Sequence, residues 1–280
     1  MVDVAGRFVW YELMTTDVKA ARAFYCKVVG WGAQDISHPG MTYTLFTVDD
    51  AVVCGLMTLP QQVRSAGAPP RWIGYIRVDD VAASSERVER LGGTVHVRPT
   101  DVTGISRFAV CADPQTAPIG LIEWLRERPG PAADSGLPGR VGWHELVAAD
   151  WEQALTFYGA LFGWQKAGAD VDAAGTYALF SAGGETIGGM FNKPAAVPAP
   201  FWLYYFNIGD IDAAVQRAQG GGGHVLAGPH ETPDGSWVVH CRDPQGAVFA
   251  LKGKRRRSPI GYFRRKPRDP SDTRERRWSW

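Results

Sequence analysis

The sequence contains an internal repeat that covers most of its length, and this repeat constrains the fold more than any other feature. Residues 10–17 read Trp-Tyr-Glu-Leu-Met-Thr-Thr-Asp, and residues 143–150, 133 positions later, read Trp-His-Glu-Leu-Val-Ala-Ala-Asp. A Phe-Tyr pair and a Gly-Trp pair follow both segments at the same spacing, and Asp-Pro-Gln recurs at 113–115 and 243–245. We therefore predict two domains of one fold. The predicted boundaries are 1–127 for the first domain, 128–139 for a linker, 140–253 for the second domain and 254–280 for a basic tail.

Local signals predict the same order of elements in each copy. In the first copy Phe8–Met14 is rich in aromatic and branched residues, which is typical of a strand. Asp17 is a good N-cap for the helix that follows, and Gly30 is a good stop for it. A second strand–helix pair is predicted at Trp72–Val78 and Val81–Leu91. The pattern predicts an α+β fold in which the order β-α-β-β-β occurs twice in each domain.

Composition narrows the class of protein. Of 280 residues, 45% are apolar and 11% aromatic, which suffices for two ordinary hydrophobic cores. No apolar run reaches the roughly 20 residues that cross a bilayer, and no basic-then-apolar leader stands at the start. The four cysteines lack C-x-x-C spacing, so neither a zinc knuckle nor a disulfide framework is indicated. We expect a cytoplasmic protein with no membrane partner.

Charge is unevenly distributed along the chain. The tail at 254–280 holds 11 Lys/Arg and 3 Asp/Glu, a net charge of +8, which leaves −7 on residues 1–253. Such a tail could contact nucleic acid, but a solvated or partner-docking tail is favoured. Glycine-rich phosphate loops and a serine nucleophile elbow are absent, and Gly220–Gly223 follows a predicted helix instead of preceding one.

These motifs resemble the vicinal oxygen chelate superfamily, which holds glyoxalase I, extradiol dioxygenases and bleomycin-resistance proteins. The strand–Asp–helix opening, the Phe-Tyr and Gly-Trp pairs and the closing Asp-Pro-Gln turn carry the resemblance, over 6–126 and 140–253. It is closest to tandem glyoxalase-like proteins of actinobacteria, some of them in antibiotic biosynthesis clusters. The resemblance implies that each domain joins two β-α-β-β-β modules in a U-shaped mixed sheet. Helices would cover its convex face, and the concave face would form a ligand pocket.

The resemblance also implies four concave positions that hold a divalent metal in the enzymes of the family. In this chain those positions are occupied by Trp10, Trp143, Ile73, Leu203, Gly55, Gly188, Gly189, Gly120 and Ala250. Indole, alkyl and hydrogen side chains cannot ligate a cation. No cofactor is expected, and a metal would need ligands from outside these positions, for example Glu12, His144 or His240. Strand alternation predicts that His144 points away from the pocket.

Aromatic and polar residues are expected to line each pocket. Because side chains alternate along a strand, Trp10 and Glu12 share one face, as do Trp143 and Glu145. The family geometry makes this the concave face, and flat organic molecules stack well on such rings. The predicted ligand-binding residues are Trp10, Glu12, Tyr43, Phe46, Tyr75, Arg77, Arg107, Trp124, Trp143, Glu145, Tyr177, Phe180, Tyr205, Trp237 and His240.

Two features of this set leave alternatives open. Glu12 and Glu145 stand at the same place in both copies, and a buried carboxylate must be hydrogen-bonded. Each is either an anchor between strands or an acceptor for a ligand, and burial would also suit a general base. His240 replaces Val110 of the first copy, and a hydrogen-bonded strand histidine is the favoured interpretation.

The functional prediction is a metal-independent binding protein for a planar aromatic small molecule. The ligand would be an antibiotic or a biosynthetic intermediate, bound for sequestration and resistance or in support of a partner biosynthetic enzyme. The alternative is a metal-dependent glyoxalase-type lyase or a dioxygenase or hydroxylase that acts on a small oxygenated substrate. Two copies in one chain can complete the pairing that single-domain relatives achieve by dimerising, so a monomer or a homodimer is allowed.

Overall fold

The computed structural model describes residues 5–38, 41–65, 67–125, 135–172 and 175–255. We call 5–125 copy one and 135–255 copy two. Copy one runs β1 (Phe8–Thr15), α1 (Val18–Val29), β2 (Gly32–His38), β3 (Met41–Val48), β4 (Ala51–Thr58), α2 (Gln61–Ser65), β5 (Arg71–Arg77), α3 (Val81–Arg90), β6 (Thr94–Val102), β7 (Ser106–Ala112) and β8 (Pro118–Trp124). Copy two runs β9 (Val141–Ala148), α4 (Trp151–Phe162), β10 (Gln165–Asp172), β11 (Gly175–Ala182), β12 (Glu185–Asn192), β13 (Phe201–Ile208), α5 (Ile211–Gly220), β14 (His224–Glu231), β15 (Trp237–Arg242) and β16 (Val248–Gly253). The first part of the predicted linker and the tail beyond Arg255 lie outside the described residues.

The helix boundaries follow from the capping residues. The Asp17 carboxylate accepts a hydrogen bond from the Ala20 amide at 2.9 Å, and Gly30 ends α1 with a φ of 90°. Asp150 and Gly163 do the same for α4. These repeated signals are local, and for that reason the sequence predicts them.

The predicted order β-α-β-β-β includes a strand directly after α1 and after α4, but the residues of these two strands give no signal that locates them. β2 and β10 have the sequences Gly-Ala-Gln-Asp-Ile-Ser-His and Gln-Lys-Ala-Gly-Ala-Asp-Val-Asp, without apolar alternation. Each lies at an edge of its sheet and pairs with a single neighbour, β3 or β11. A strand at an exposed edge needs no apolar face, so tertiary pairing and not composition creates it.

In the described residues each copy forms one eight-stranded mixed sheet. The orders are β2-β3-β4-β1-β5-β8-β7-β6 and β10-β11-β12-β9-β13-β16-β15-β14. The first strands of the two modules, β1 and β5, pair antiparallel at the centre, and each pairs in parallel with the last strand of its own module, β4 or β8. Copy two repeats this arrangement. The predicted α+β architecture of tandem two-module domains is confirmed.

The two sheets share one hydrophobic core. Residues of the four longer helices and of both sheets belong to this single cluster, with Tyr25, Phe46, Tyr158, Phe180 and Phe206 fully buried. Rings from different copies meet in it, for example Trp31 and Phe206, whose centroids are 5.0 Å apart. We call the face of each sheet that lines this core the inner face and the opposite one the outer face. The outer faces carry separate apolar clusters.

Reciprocal hydrogen bonds join the copies. The Tyr25 hydroxyl of α1 donates to Asp243 at 3.1 Å, and the Tyr158 hydroxyl of α4 donates to Asp113 at 3.0 Å. Each aspartate also accepts from backbone amides of its own Asp-Pro-Gln turn, such as that of Gln115 at 2.9 Å. The repeated Phe-Tyr and Asp-Pro-Gln motifs therefore hold the two copies together as a pair within one chain.

Two further expectations from the sequence concern disulfide bonds and membrane-spanning helices. Cys26, Cys54, Cys111 and Cys241 are free thiols. Among the described residues, none of the helices combines the length and apolar character that crossing a bilayer requires.

Candidate functional site

A carboxylate held by two tyrosines lies at the centre of the outer face of copy one. Tyr43 of β3 donates to Glu12 Oε1 at 2.5 Å, and Tyr75 of β5 donates to Glu12 Oε2 at 3.1 Å. The Trp10 indole N–H lies 3.3 Å from the Tyr43 hydroxyl and donates to it. Glu12, which is 8% exposed, therefore bridges three strands of the sheet.

Copy two builds the same cluster and extends it by one residue. Tyr177 and Tyr205 donate to Glu145 Oε2 at 2.8 and 3.0 Å, and the Trp143 indole donates to Tyr177 at 2.8 Å. The Tyr205 hydroxyl also lies 2.8 Å from His240 Nε2. The result is a chain from carboxylate to phenol to imidazole that copy one lacks, because its Val110 stands in the place of the histidine.

Burial sets the protonation of these groups. Burial is the largest influence on the pKa of Glu12 and raises it, while the hydrogen bonds from the two tyrosines lower it. Burial also raises the pKa of Tyr43 and Tyr75 well above 10, so both remain donors. In copy two, burial lowers the pKa of His240 to about 3, so its imidazole is neutral near pH 7.

The tyrosine rings fill the space that metal ligands of the family would use. Gly55 pairs in register with Glu12, and a Cβ added there would overlap the Tyr43 hydroxyl. A Cβ added at Gly120 would overlap the Tyr75 ring, which lies directly beside it. In copy two a Cβ at Gly189 would overlap Tyr177.

The side chains that could ligate a metal ion lead to the same conclusion as the position of the rings. The ranges that the structure describes contain no group of three or more His, Cys, Asp or Glu that could hold a metal ion. At the positions that the resemblance assigns to metal ligands, this chain has tryptophan and aliphatic side chains and glycines, and Gly55, Gly120 and Gly189 are covered by phenol rings. The residues present do not fit a divalent metal at these positions.

Other predicted residues share the outer face with these clusters. Trp124 lies half-buried at the border of the apolar cluster that contains Trp10 and Tyr75. Arg77 follows Tyr75 by two positions on β5 and so lies on the same face. Half-buried rings that the prediction omitted, Phe108 in copy one and Phe201 in copy two, also lie there. Alternation along β7 and β13 could have identified both.

Phe46 and Phe180 were expected in the pocket, and this placement is wrong. Both are fully buried in the shared core, where the rings of Phe180 and Trp164 stack at 4.6 Å. Each lies three positions after the tyrosine that does face outward, Tyr43 or Tyr177. An odd spacing along a strand turns the side chain to the opposite face.

Arg107 and Trp237, which are equivalent positions in the two copies, were also wrongly placed. Alternation with Ala109 and Val239, both fully buried in the shared core, puts them on the inner side of β7 and β15. Arg107 forms an exposed ion pair with Asp101 at 2.6 Å. The guanidinium of Arg255 lies 4.3 Å from the centroid of a Trp237 ring. Neither residue borders the Glu–Tyr clusters.

His144 lies on the inner face, as strand alternation predicts. Its Nε2 is 2.6 Å from the Tyr11 hydroxyl, and its Nδ1 is 2.7 Å from the Ile187 carbonyl oxygen. His144 therefore lies on the opposite side of the sheet from Glu145 and His240, and of the three example ligands named for a metal it is the one that does not face the outer side.

The sequence analysis also missed a depression at one end of the outer face of copy one. Its volume is about 440 Å³, and its lining consists of Met57, Thr58, Leu59, Pro60, Gln61 and Arg64. Arg71 lies on the same face at the start of β5, two positions before Ile73. Alternation from Ile73 would have identified Arg71, whereas the short helix α2 gave no periodic signal.

Sequence comparison connects both copies with one superfamily. A sequence model of the Glyoxalase/Bleomycin resistance protein/Dioxygenase superfamily matches residues 7–119 and 140–251. CFP32 of Mycobacterium tuberculosis, which carries the name of a glyoxylase, is 33% identical over 244 residues, which are 86% of this chain and 92% of the relative. DnrV of Streptomyces peucetius, named as an anthracycline biosynthesis protein, is 34% identical over 262 residues, which are 88% and 92% of the two chains.

Solved structures share the fold at low identity. An extradiol ring-cleaving dioxygenase from B. fuscum superposes with a TM-score of 0.62 and 16% identity, over 89% of this chain and 72% of that one. The Mn(II)-bound glyoxalase from Novosphingobium aromaticivorans gives a TM-score of 0.56 and 16% identity, over 89% and 81%. At this identity the similarity concerns the fold alone.

Proposed function

This chain belongs to the Glyoxalase/Bleomycin resistance protein/Dioxygenase superfamily, and from that premise we propose that it is a metal-independent binding protein for a planar aromatic small molecule. One observation carries the proposal. In both copies the place of the metal ligands is taken by a glutamate that two tyrosines hold, next to the indole of Trp10 or Trp143. The site has rings and polar anchors, and among the residues that the structure describes it has no group of three side chains that could hold a metal ion.

The chemistry of the outer face suits such a ligand. Half-buried rings at its border, including Tyr43, Phe108 and Trp124 in copy one, offer stacking partners, and Glu12 offers an acceptor. Each favourable ring–ring contact contributes about 0.5–1.5 kcal/mol beyond area burial. A flat molecule with a hydroxyl group would use both kinds of contact.

The relatives support the same class of ligand. DnrV and the Streptomyces protein DauV, 34% and 32% identical to this chain, are both named for anthracycline biosynthesis. Anthracyclines are planar, hydroxylated aromatic compounds. We propose that this protein binds a compound of that kind, either to sequester it or to assist a biosynthetic enzyme.

Titration with quinizarin (1,4-dihydroxyanthraquinone) tests the proposal. Calorimetry should detect saturable binding of quinizarin, and a metal chelator should leave this binding unchanged. Trp124→Ala should raise the Kd roughly three- to tenfold, which corresponds to the loss of about one ring contact. Trp151→Ala is the matched control, because Trp151 lies at the start of α4, on the helix-covered side of copy two. The absence of binding by quinizarin and by a panel of related anthraquinones would refute the proposal.

One observation favours an enzyme as a second candidate. The chain from Glu145 through Tyr205 to His240 could move a proton, since it joins a carboxylate, a phenol and a neutral imidazole by hydrogen bonds. This candidate predicts that His240→Val, which introduces the residue of copy one, abolishes turnover of a bound hydroxylated ligand without abolishing its binding. Unchanged ligand after prolonged incubation with wild-type protein would reject it.

A further inference from the structure

The depression of copy one continues the outer face toward one end of the sheet. Its lining residues Met57 and Leu59 belong to the same apolar cluster as Trp10 and Tyr75. Its volume of about 440 Å³ falls in the range of small-molecule sites. A ligand that contacts the rings of this face can therefore extend into the depression.

One arginine lines this depression, and a second lies nearby on the same face of the sheet. Arg64 lines it directly. Met57, Met14 and Arg71 lie side by side across β4, β1 and β5, so Arg71 is about 10 Å from Met57 at the usual strand spacing. Arg71 shares the outer face with Ile73 and Tyr75, because the three alternate along β5.

Neither guanidinium is paired with a carboxylate in the part of the chain that the structure describes. Arg71 Nε donates to the Pro69 carbonyl oxygen at 3.2 Å, and no ion pair involves Arg64 or Arg71. Arg71 is half-buried, so its charge is partly removed from water and its pKa is lowered, whereas Arg64 is exposed. A partly desolvated cation without a counter-charge attracts an anion strongly.

Copy two has no arginine pair at the same corner. Phe191 and Phe201 occupy the places of Met57 and Arg71, since both pair in register with Val147 as the other two pair with Met14. A lysine, Lys193, holds the place of Leu59, and its Nζ donates to the Val197 carbonyl oxygen at 2.7 Å. The unpaired guanidiniums are thus a property of copy one and not of the repeated fold.

We propose that the depression of copy one receives the carboxylate of an acidic planar aromatic ligand. Arg64 and Arg71 contact the carboxylate, and Met57 and Leu59 contact the adjoining ring. A guanidinium suits this task because it can donate two parallel hydrogen bonds to a carboxylate. The inference rests on the proposed function and names the class of ligand that copy one selects.

A pair of probes of the same shape tests it: anthraquinone-2-carboxylate, an anion at pH 7, and the neutral anthraquinone-2-carboxamide. Calorimetric titration of the full chain at low salt should show that the carboxylate binds about tenfold more tightly, as expected for hydrogen bonds to a charged group. The double variant Arg64→Gln/Arg71→Gln should reduce this preference to less than about twofold while it leaves carboxamide binding nearly unchanged.

Controls separate the site from general charge effects. Arg98→Gln removes an exposed arginine of β6 that pairs with Glu89, and it should keep the preference. Arg71→Lys, which retains the charge, should keep part of it. The outcomes also separate the two proposals. Equal binding of the probes by wild type, an unchanged preference in the double variant, or binding of quinizarin but of neither probe would overturn this inference alone, whereas binding of none of these anthraquinones would refute the proposed function.

Discussion

Tyr11 and His144 occupy the same position in the two copies, and they are hydrogen-bonded to each other across the interface, with 2.6 Å between the hydroxyl oxygen and Nε2. Each immediately precedes the glutamate of its own outer-face cluster, Glu12 or Glu145, yet points to the opposite side of the sheet. The ring of Phe8 stacks on His144 with centroids 4.2 Å apart. The glutamate at the centre of each outer face is therefore one residue away from the contact between the copies.

The burial of His144 should make the free energy of unfolding depend on pH. Burial lowers the pKa of His144 from 6.5 to about 4. Between these two values His144 is protonated in the unfolded chain but neutral in the folded chain. The free energy of unfolding should therefore fall as the pH decreases from about 6.5 to about 4. The difference corresponds to roughly 3–4 kcal/mol at about 1.4 kcal/mol per pKa unit.

Urea unfolding at pH 7.5 and pH 4.5 measures this effect when wild type is compared with His144→Gln, which cannot titrate. Wild type should lose more stability than the variant over this interval. The comparison also removes the contribution of the buried carboxyls. An equal loss in both proteins would show that His144 does not carry the dependence.

The tyrosine–aspartate bonds between the copies should be costly to remove. Tyr25→Phe deletes the hydroxyl that donates to Asp243, and Tyr158→Phe deletes its counterpart at Asp113. Each leaves a buried carboxyl short of a donor, so each should lower the free energy of unfolding by about 1–3 kcal/mol. Chemical denaturation is the measurement. Losses below about 0.5 kcal/mol in both variants would mean that these bonds do not secure the interface.

Replacement of Gly55 by a residue with a Cβ should destabilise the fold, because the Tyr43 side chain lies over this glycine. Gly55→Ala places a Cβ against the Tyr43 hydroxyl, which cannot move without breaking its bond to Glu12. We expect a loss of about 1–3 kcal/mol, the usual cost of overpacking. The double variant Gly55→Ala/Tyr43→Ala should lose less than the sum of the two single variants.

Gly209→Ala is the matched control for this prediction, because a Cβ there meets nothing within 4 Å. Thermal or urea unfolding of the four variants is sufficient. Full additivity of the Gly55 and Tyr43 substitutions would show that the ring does not occupy the space beside Gly55.

Divalent metals should not stabilise the protein. A metal that binds the folded state at a concentration one hundred times its Kd adds about 2.7 kcal/mol of stability and raises the Tm. Because Tyr43 and Tyr177 cover Gly55 and Gly189, we expect no rise with zinc, nickel, manganese or iron(II). Differential scanning calorimetry with each metal provides the measurement. A rise that disappears with Glu12→Gln or Glu145→Gln would indicate an unrecognised metal site.

The sequence determines the architecture of this protein because its signals are local. Capping residues fix both ends of α1 and of α4, namely Asp17 and Gly30 in copy one and Asp150 and Gly163 in copy two. The internal repeat reveals the second copy. These signals act over a few residues, which a reading along the chain can follow. Even the face of His144 follows from alternation within one strand.

Tertiary structure alone decides what each face contacts. Alternation states that Tyr43 and Phe46 point to opposite sides, but only the pairing of β3 with β4 places the Tyr43 hydroxyl above Gly55 and beside Glu12. In the sequence Tyr25 and Asp243 belong to motifs of different copies, yet their side chains are hydrogen-bonded although 218 positions separate them. The first contact arises from strand pairing within one sheet and the second from the packing of one copy against the other, and no local pattern in the chain specifies either of them.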